Sequence, residues 1–174
     1  FILEADVTAL AETTLEHFGD VHLVCNNAGV GSRGLPIAEL PLADFSWVLA
    51  VNLFGVIHGL RAFLPHLRAN DVGHIVNTAS TSGLYYLPRM GPYNASKAAA
   101  DHYVRAYSET FGLQTTITNC SNNYGPFQFP EKVIPLFVTN ALDDRPLPMY
   151  ASTANLREWL PVSDTCRATE LGLS

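Results

Sequence analysis

Tyr93 and Lys97, which lie four residues apart, are the two side chains in this sequence best suited to acid/base chemistry. Pro92 favours the first turn of a helix, and the alanines at residues 98–100 are strong helix formers. The spacing therefore predicts a helix with both side chains on one face, about one turn apart. An ammonium at that distance favours the phenolate form, which suits a tyrosine to general acid/base catalysis. Because Tyr-x-x-x-Lys also arises by chance in many helices, the pair needs support from its neighbours.

Two apolar strands that end in polar residues are predicted beside this helix. Residues 74–80 form a buried strand that ends at Ser80, whose hydroxyl can hydrogen-bond the substrate oxygen on which a tyrosine acts. Residues 21–25 form another apolar strand, which runs into the turn Asn-Asn-Ala-Gly at residues 26–29. Asparagine and glycine suit a sharp turn that lets the backbone approach a ligand closely.

One long helix is predicted over residues 41–62, because its apolar residues recur at intervals of three and four, and residues 63–70 continue or cap it. Asn52 lies on this apolar stripe. A buried asparagine without partners costs roughly 1–3 kcal/mol, so we expect its side-chain amide to be hydrogen-bonded. Asn52 is then either part of a functional site or a structural residue at a helix kink that bonds to backbone.

These motifs together resemble the short-chain dehydrogenase/reductase family. The resemblance is carried by the NNAG turn, by Asn52 in VNLFGV, by Ser80 and by YNASK at residues 93–97. It implies a catalytic tetrad around a nicotinamide, formed by Asn52, Ser80, Tyr93 and Lys97, with Asn52 holding a water in a proton relay to the lysine. NAD or NADP is the implied cofactor, and the residues implied to bind it are Asp6, Val7, Asn26, Asn27, Ala28, Gly29, Tyr93 and Lys97.

The resemblance implies an α/β fold, a Rossmann-like parallel sheet flanked by helices. Residues 1–7 are predicted to end a strand, and residues 9–18 to form a helix with Thr8 as N-cap and Gly19 as its stop. Asp6 has a second interpretation, a carboxylate favoured by the helix dipole. The motif G-x-x-x-G-x-G, with which the family opens its first βαβ unit, does not occur. The predicted fold lacks that unit, so the chain is either a fragment or covers an exposed sheet edge in another way.

From residue 93 to residue 173 the sequence resembles a second branch of the superfamily, the dTDP-glucose 4,6-dehydratases and related nucleotide-sugar enzymes. The strings TNCSNNYGP, FPEKVIPLF, PLPMY and LREWLPVSD carry this resemblance. It implies that Tyr150 stacks on the base and that Arg157 binds the diphosphate, the alternative for Arg157 being a surface ion pair with Glu158 or Asp164. Asn123 is implied to lie beside the cofactor, and the full substrate-binding set is then Ser80, Asn122, Lys132, Val133, Tyr150 and Arg157.

The resemblance to dehydratases breaks down directly after Ser80. In that branch an Asp-Glu pair at this strand end eliminates water from the sugar, whereas residues 81–83 here are Thr-Ser-Gly. Hydroxyls and a glycine cannot replace two carboxylates in acid/base chemistry, so the sequence argues against 4,6-dehydration. Residues 1–92 resemble the compact dehydrogenases instead, which places a join between the two branches near residue 93.

Length, composition and charge limit the number of domains and the kinds of ligand that the sequence is expected to have. With 174 residues, 48% of them hydrophobic, the chain is predicted to form a single domain over residues 1–174. A net charge of -6 without a basic stripe argues against nucleic-acid binding, and the histidines and cysteines show no metal-ligand spacing. No run of 18 apolar residues is present, so we expect a soluble cytoplasmic protein without a membrane partner. By analogy with the family, the two long helices imply a homo-oligomer.

Three functional hypotheses remain open at this point. The first is an NAD(P)-dependent oxidoreductase that transfers hydride between an alcohol and a carbonyl. The second is a nucleotide-sugar enzyme, a lyase related to the dTDP-glucose 4,6-dehydratases. The third is a chimeric or partial Rossmann-like domain without turnover, in which the tetrad is a relic of sequence.

Overall fold

The structure is a computed structural model that describes residues 3–69, 73–149 and 158–173. The chain divides into two compact units, one up to residue 120 and one from residue 121 to residue 172. Each unit is described by itself. The join predicted near residue 93 falls within a helix of the first unit.

A three-stranded parallel sheet forms the centre of the first unit. Its strands are β1 (Leu23–Asn26), β2 (His74–Thr78) and β3 (Gln114–Thr118), in the spatial order β1-β2-β3. Val24 pairs with Ile75, and Ile75 pairs with Thr115. The prediction of a Rossmann-like parallel sheet flanked by helices is confirmed, because parallel neighbours are joined here through helical crossovers.

The first helix begins earlier than the sequence predicts. α1 spans Glu4–Phe18, with Leu3 as its N-cap residue, so the predicted strand end over residues 3–7 is wrong. Glu4 and Asp6 place two carboxylates in the first turn, where the helix dipole favours them. Thr8 is not the N-cap, since its hydroxyl donates to the Glu4 carbonyl inside the helix. Gly19 ends α1 as predicted, with φ at 78°.

The predicted long helix is present and extends further along the chain. It consists of α2 (Leu42–Leu49), a π-helical segment (Ala50–Phe54) and α3 (Gly55–Ala69). The π-helical segment was not predicted, because a single extra residue hardly disturbs an apolar periodicity of three and four. By length and composition the whole helix could cross a membrane, a test that core helices also pass, and six residues of α3 are buried.

The helix that carries Tyr93 and Lys97 also matches its prediction. α4 spans Gly91–Phe111, with a proline in its first turn, and it ends at Gly112 with φ at 65°. A short 3₁₀ turn, Thr81–Gly83, lies between β2 and α4. The core of this unit is formed by side chains of α1, α3, β2 and α4, among them Ala11, Leu60, Phe63, Leu67, Ile75 and Val104.

The second unit pairs two short strands and adds two helices. β4 (Asn122–Tyr124) lies parallel to β5 (Trp159–Pro161), and Asn123 pairs with Leu160. α5 spans Val133–Leu142, and α6 spans Val162–Leu171.

Candidate active site

Lys97 is a buried ammonium held against the end of β2. Only 6% of the residue is exposed, and its Nζ donates a hydrogen bond of 2.7 Å to the carbonyl oxygen of Thr78. Burial lowers the pKa of Lys97 below its ordinary value, and the Asp101 carboxylate and the Cys120 thiol oppose that shift. The helix therefore fixes this cation at one point, at the carboxyl end of a parallel strand, where open α/β sheets bind their ligands.

Asn52 is buried, and both the oxygen and the nitrogen of its side-chain amide form hydrogen bonds. Its Oδ1 accepts from the Val30 N–H at 2.8 Å, and its Nδ2 donates to the Val30 carbonyl at 3.0 Å and to Ser96 Oγ at 3.1 Å. The expectation that this asparagine is hydrogen-bonded is confirmed. Its position inside the π-helical segment and its bonds to backbone match the structural alternative, and the bond to Ser96 connects it to the Tyr93 helix.

Gly29 is the point at which three predicted site residues converge. A Cβ atom added at Gly29 would lie 3.5 Å from Lys97 Nζ and 3.6 Å from Asn52 Oδ1. The turn after β1, the π-helical segment and the first two turns of α4 therefore meet within van der Waals distance. The Gly29 backbone therefore lies directly beside the lysine and the asparagine.

Ser80 and Tyr93 lie at the 3₁₀ turn and in the first turn of α4. Ser80 Oγ accepts from the Ser82 N–H at 3.2 Å and caps the 3₁₀ turn. Tyr93 is half-buried in the first turn of α4, and its backbone carbonyl accepts from Ser96 Oγ at 2.9 Å. Ser96 thus links the Tyr93 backbone to the Asn52 amide.

An adjoining cleft brings together four of the residues predicted to bind the cofactor. The cleft has a volume of about 390 Å³, and its walls include Val7, Asn26, Asn27 and Ala28. Asp6 does not line it and is exposed in the first turn of α1, in keeping with the interpretation as a helix-start carboxylate.

The chemistry of this cleft fits one part of a dinucleotide. Among the described residues, the buried Asn26 Nδ2 has no hydrogen-bond partner, which leaves a donor unused at the wall of the cleft. The apolar walls, which include Leu10 and Val24, suit a flat heterocycle. No group of three or more His, Cys, Asp or Glu side chains within the described ranges is placed to hold a metal ion.

The predicted substrate residues beyond Ser80 belong to the second unit. Asn122 Nδ2 donates to the Glu158 carbonyl at 3.1 Å, and Asn123 Oδ1 accepts from Thr165 Oγ1 at 2.5 Å. Lys132 is the exposed N-cap residue of α5, and Val133 begins that helix. Tyr150 and Arg157 lie outside the described residues.

Three contributors to the site were not predicted from sequence. The Thr78 carbonyl gives no sequence signal, because any residue type offers the same acceptor. Ser96 could have been found, since it lies three residues after Tyr93 on the predicted helix. Asp101 could also have been found, because it follows Lys97 by four residues on the same face.

Two family models match the chain. The model described as short chain dehydrogenase matches residues 3–122, and the model described as GDP-mannose 4,6 dehydratase matches residues 73–174. The chain belongs to the short-chain dehydrogenase/reductase family. Both predicted resemblances are confirmed, and the two matches overlap over residues 73–122 of this family member.

Relatives within the dehydrogenase/reductase family include several dTDP-glucose 4,6-dehydratases. A probable dTDP-glucose 4,6-dehydratase of Sinorhizobium fredii is 60% identical over 77 residues, which is 44% of this chain and 22% of that protein. The dTDP-glucose 4,6-dehydratase of an Actinoplanes species is 46% identical over 116 residues, which is 67% of this chain and 36% of that protein. The match therefore spans about a fifth to a third of these relatives.

Solved structures from both branches of the family share this fold. The dTDP-glucose 4,6-dehydratase DesIV of Streptomyces venezuelae, solved with NAD bound, has a TM-score of 0.73 and 33% identity, over 98% of this chain and 52% of that one. A short-chain dehydrogenase/reductase of Burkholderia phymatum in complex with NAD has a TM-score of 0.66 and 32% identity, over 99% of this chain and 58% of that one.

Proposed function

We propose that this chain carries the catalytic part of an NAD(P)-dependent oxidoreductase that transfers hydride between an alcohol and a carbonyl. The observation that carries the proposal is the convergence of Lys97 and Asn52 at Gly29, where Lys97 lies one helical turn from Tyr93. Such a reaction requires a cation, a phenol and a hydroxyl, which Lys97, Tyr93 and Ser80 supply in this proposal.

Each residue of the tetrad has a defined task in this proposal. Tyr93 Oη takes the proton of the substrate hydroxyl as the carbonyl forms, and returns it in the reverse direction. Ser80 Oγ donates a hydrogen bond to the same substrate oxygen. Lys97 supplies positive charge that favours the phenolate, and Asn52 holds the Val30 turn beside it.

The cleft after β1 is proposed to hold the nucleotide end of NAD or NADP. Val7, Asn27 and Ala28 would contact the adenosine half, and Asn26 Nδ2 would donate to one of its polar groups. The nicotinamide, when bound, accepts or supplies the hydride. The similarity to relatives solved with NAD supports this assignment.

A nucleotide sugar is the second candidate substrate class. The 60% identity to a dehydratase over 77 residues favours it, and the Thr-Ser-Gly of the 3₁₀ turn opposes the complete 4,6-dehydration. Ser82, at the centre of that turn, is buried and is not a carboxylate. We therefore propose oxidation or reduction at a sugar carbon as the chemistry for this candidate. The homo-oligomer and the cytoplasmic location stay predictions.

Titration with NADH and with NADPH tests the proposal. Fluorescence or calorimetry is expected to show saturable binding of one of them at or below about 1 mM, the upper end of the usual range for enzyme ligands. Asn26→Ala is expected to weaken that binding because it removes the unpartnered donor, whereas Asn140→Ala on α5 serves as the matched control. An absence of saturable binding of either nucleotide would support a domain without turnover instead.

A further inference from the structure

Asp101 is a carboxylate buried on the same face of α4 as Lys97, one turn further along. The residue is 6% exposed, as is Lys97. A buried carboxylate without compensation is strongly unfavourable, so its surroundings must stabilise the charge or neutralise it. The tetrad does not include this residue, and the proposed reaction assigns it no step.

The end of β2 holds both charged residues through two adjacent positions. Asp101 Oδ1 accepts a hydrogen bond of 3.0 Å from Asn77 Nδ2, and Lys97 Nζ donates to the carbonyl of Thr78. Asn77 is itself 1% exposed. The strand thus holds the carboxylate and the ammonium at two adjacent residues, each on its own hydrogen-bond partner.

The 3₁₀ turn that follows Ser80 packs against α4 at the same place. A Cβ atom added at Gly83 would lie 3.0 Å from Asp101 Oδ2 and 3.4 Å from the backbone carbonyl carbon of Lys97. These distances are tighter than ordinary Cβ contacts, so a methyl group at Gly83 would push on the Asp101 carboxylate and the Lys97 backbone. Asp101 therefore lies where β2, the Ser80 turn and the Lys97 helix meet.

Titratable neighbours of the two residues come from α4 and from the segment after β3. The charges of Asp101 and Cys120 act on Lys97. The charges of Lys97, Arg105 and His102 act on Asp101, whose carboxylate accepts the Asn77 hydrogen bond. Burial raises the pKa of Asp101, and all four of these neighbours oppose the rise.

We propose that Asp101 is a positioning residue whose buried carboxylate is the counter-charge of the Lys97 ammonium and anchors the Ser80 turn to α4 through β2. The inference rests on the proposed function, in which the Lys97 charge acts on Tyr93. Asp101 contacts no reacting atom in it. Its contribution is to keep the lysine protonated and to hold the serine turn and the tyrosine helix in one arrangement.

The chain contains two lysines, Lys97 and Lys132, so the charge state of Lys97 can be measured directly. Protein labelled with ¹³C-lysine has two lysine side-chain signals, which Lys132→Arg assigns, and their pH titration follows Lys97 without any cofactor. Asp101→Asn keeps the shape and the acceptor for Asn77 and removes the charge. It is expected to lower the measured pKa of Lys97 by about one unit, because an opposite charge nearby shifts a pKa by that order.

Two variants on the same helix control for effects other than the buried charge. Glu109→Gln removes an exposed carboxylate of α4 and is expected to leave the Lys97 titration where it was. Asp101→Glu retains the charge and is expected to return the Lys97 titration toward the wild-type position. An Asp101→Asn protein that is folded by circular dichroism and titrates at Lys97 like the wild type would overturn the proposal.

If Asp101→Asn does not fold, the same coupling can be measured from the other residue, by following the titration of Asp101 after Lys97 is replaced. In Lys97→Met, the carboxyl signal of Asp101 is expected to titrate at a higher pH than in the wild type, and an unchanged titration would also overturn the proposal. Nucleotide titration distinguishes this proposal from the proposed function. A changed lysine titration without NADH or NADPH binding would leave the Asp101–Lys97 coupling intact and remove only the oxidoreductase.

Discussion

The side chain of Asn52 and the backbone of Val30 form a closed pair of hydrogen bonds across 22 residues of sequence. The Val30 N–H donates to Oδ1 at 2.8 Å, and Nδ2 donates to the Val30 carbonyl at 3.0 Å. One side-chain amide thereby satisfies both the N–H and the carbonyl of Val30. The loop after the NNAG turn is held to the π-helical segment by this pair.

Asn52→Ala is expected to destabilise the protein by about 2–3 kcal/mol, because the polar groups of Val30 and Ser96 lose buried partners. Urea unfolding followed by circular dichroism measures the loss. Asn140→Ala is the control, since it removes one exposed hydrogen bond to the Pro146 carbonyl. Equal midpoints for the two variants would contradict the assigned importance of the Val30 pair.

Tyr93→Phe is expected to lower the rate of alcohol oxidation at least about 100-fold, because it removes the hydroxyl proposed to accept the substrate proton. Affinity for the nucleotide is expected to stay within about twofold, since the ring is retained. Tyr103→Phe, which removes an exposed phenol from the same helix, is the matched control. Steady-state kinetics and fluorescence titration separate the two effects, and full activity in Tyr93→Phe would remove Tyr93 as the base.

Gly59→Ala, a substitution in α3, tests whether the position of the Asn26 amide in the cleft matters for nucleotide binding. Alanine normally stabilises a helix interior by about 0.5–1 kcal/mol relative to glycine. Here the added methyl group would overlap Asn26 Oδ1, so the Asn26 amide must move. We expect no gain in stability and at least about fivefold weaker nucleotide binding, in the range of a lost hydrogen bond.

Gly31→Ala is the control for this cleft variant, because a Cβ at Gly31 would meet no atom within 4 Å. Its nucleotide affinity is expected to match the wild type. A Gly59→Ala protein that gains stability and binds the nucleotide normally would show that the Asn26 amide takes no part in binding.

The stability of the protein is expected to depend on alkaline pH through Lys97. Because burial lowers the pKa of this lysine, the unfolded chain binds more protons than the folded chain between the lowered value and the ordinary value of about 10.4. The free energy of unfolding therefore rises with pH in this window, by at most about 1.4 kcal/mol per pH unit. Below the window the unfavourable burial of the charge is present in full.

Lys97→Met isolates this contribution, since the remaining titratable groups are common to both proteins. Urea unfolding at several pH values should show the wild type gaining stability relative to Lys97→Met as the pH approaches 10.4. A difference between the two proteins that does not change with pH would mean that the lysine titrates alike in the folded and unfolded states.

Local signals made most of the first unit predictable from sequence. Pro92 and Gly112 mark the ends of α4, and the apolar spacing of residues 41–62 indicated the long helix. The start of α1 was mispredicted because Phe1-Ile2-Leu3 is as apolar as a strand, while the acidic residues after it favour a first helical turn.

The polar contacts of the site were less accessible to sequence reasoning. Asn52 was predicted as a candidate because an asparagine is unusual on an apolar stripe, and Lys97 was predicted as a candidate from its spacing to Tyr93. Their main partners, the backbone of Val30 and the carbonyl of Thr78, have no residue-type signature. Only the packing of a turn, a strand and two helices brings those backbone groups to the side chains.

The π-helical segment Ala50–Phe54 contributes differently to the fold and to the candidate site. Hydrogen bonds in such a segment span five residues instead of four, so it contains one residue more than a regular helix would need over that length. Deleting one of these five residues is expected to let α2 run into α3 without a break while both keep their faces toward the core. We expect the same deletion to break the hydrogen bonds that join Asn52 to the Val30 loop, so that the architecture of the first unit would outlast the geometry of its candidate site.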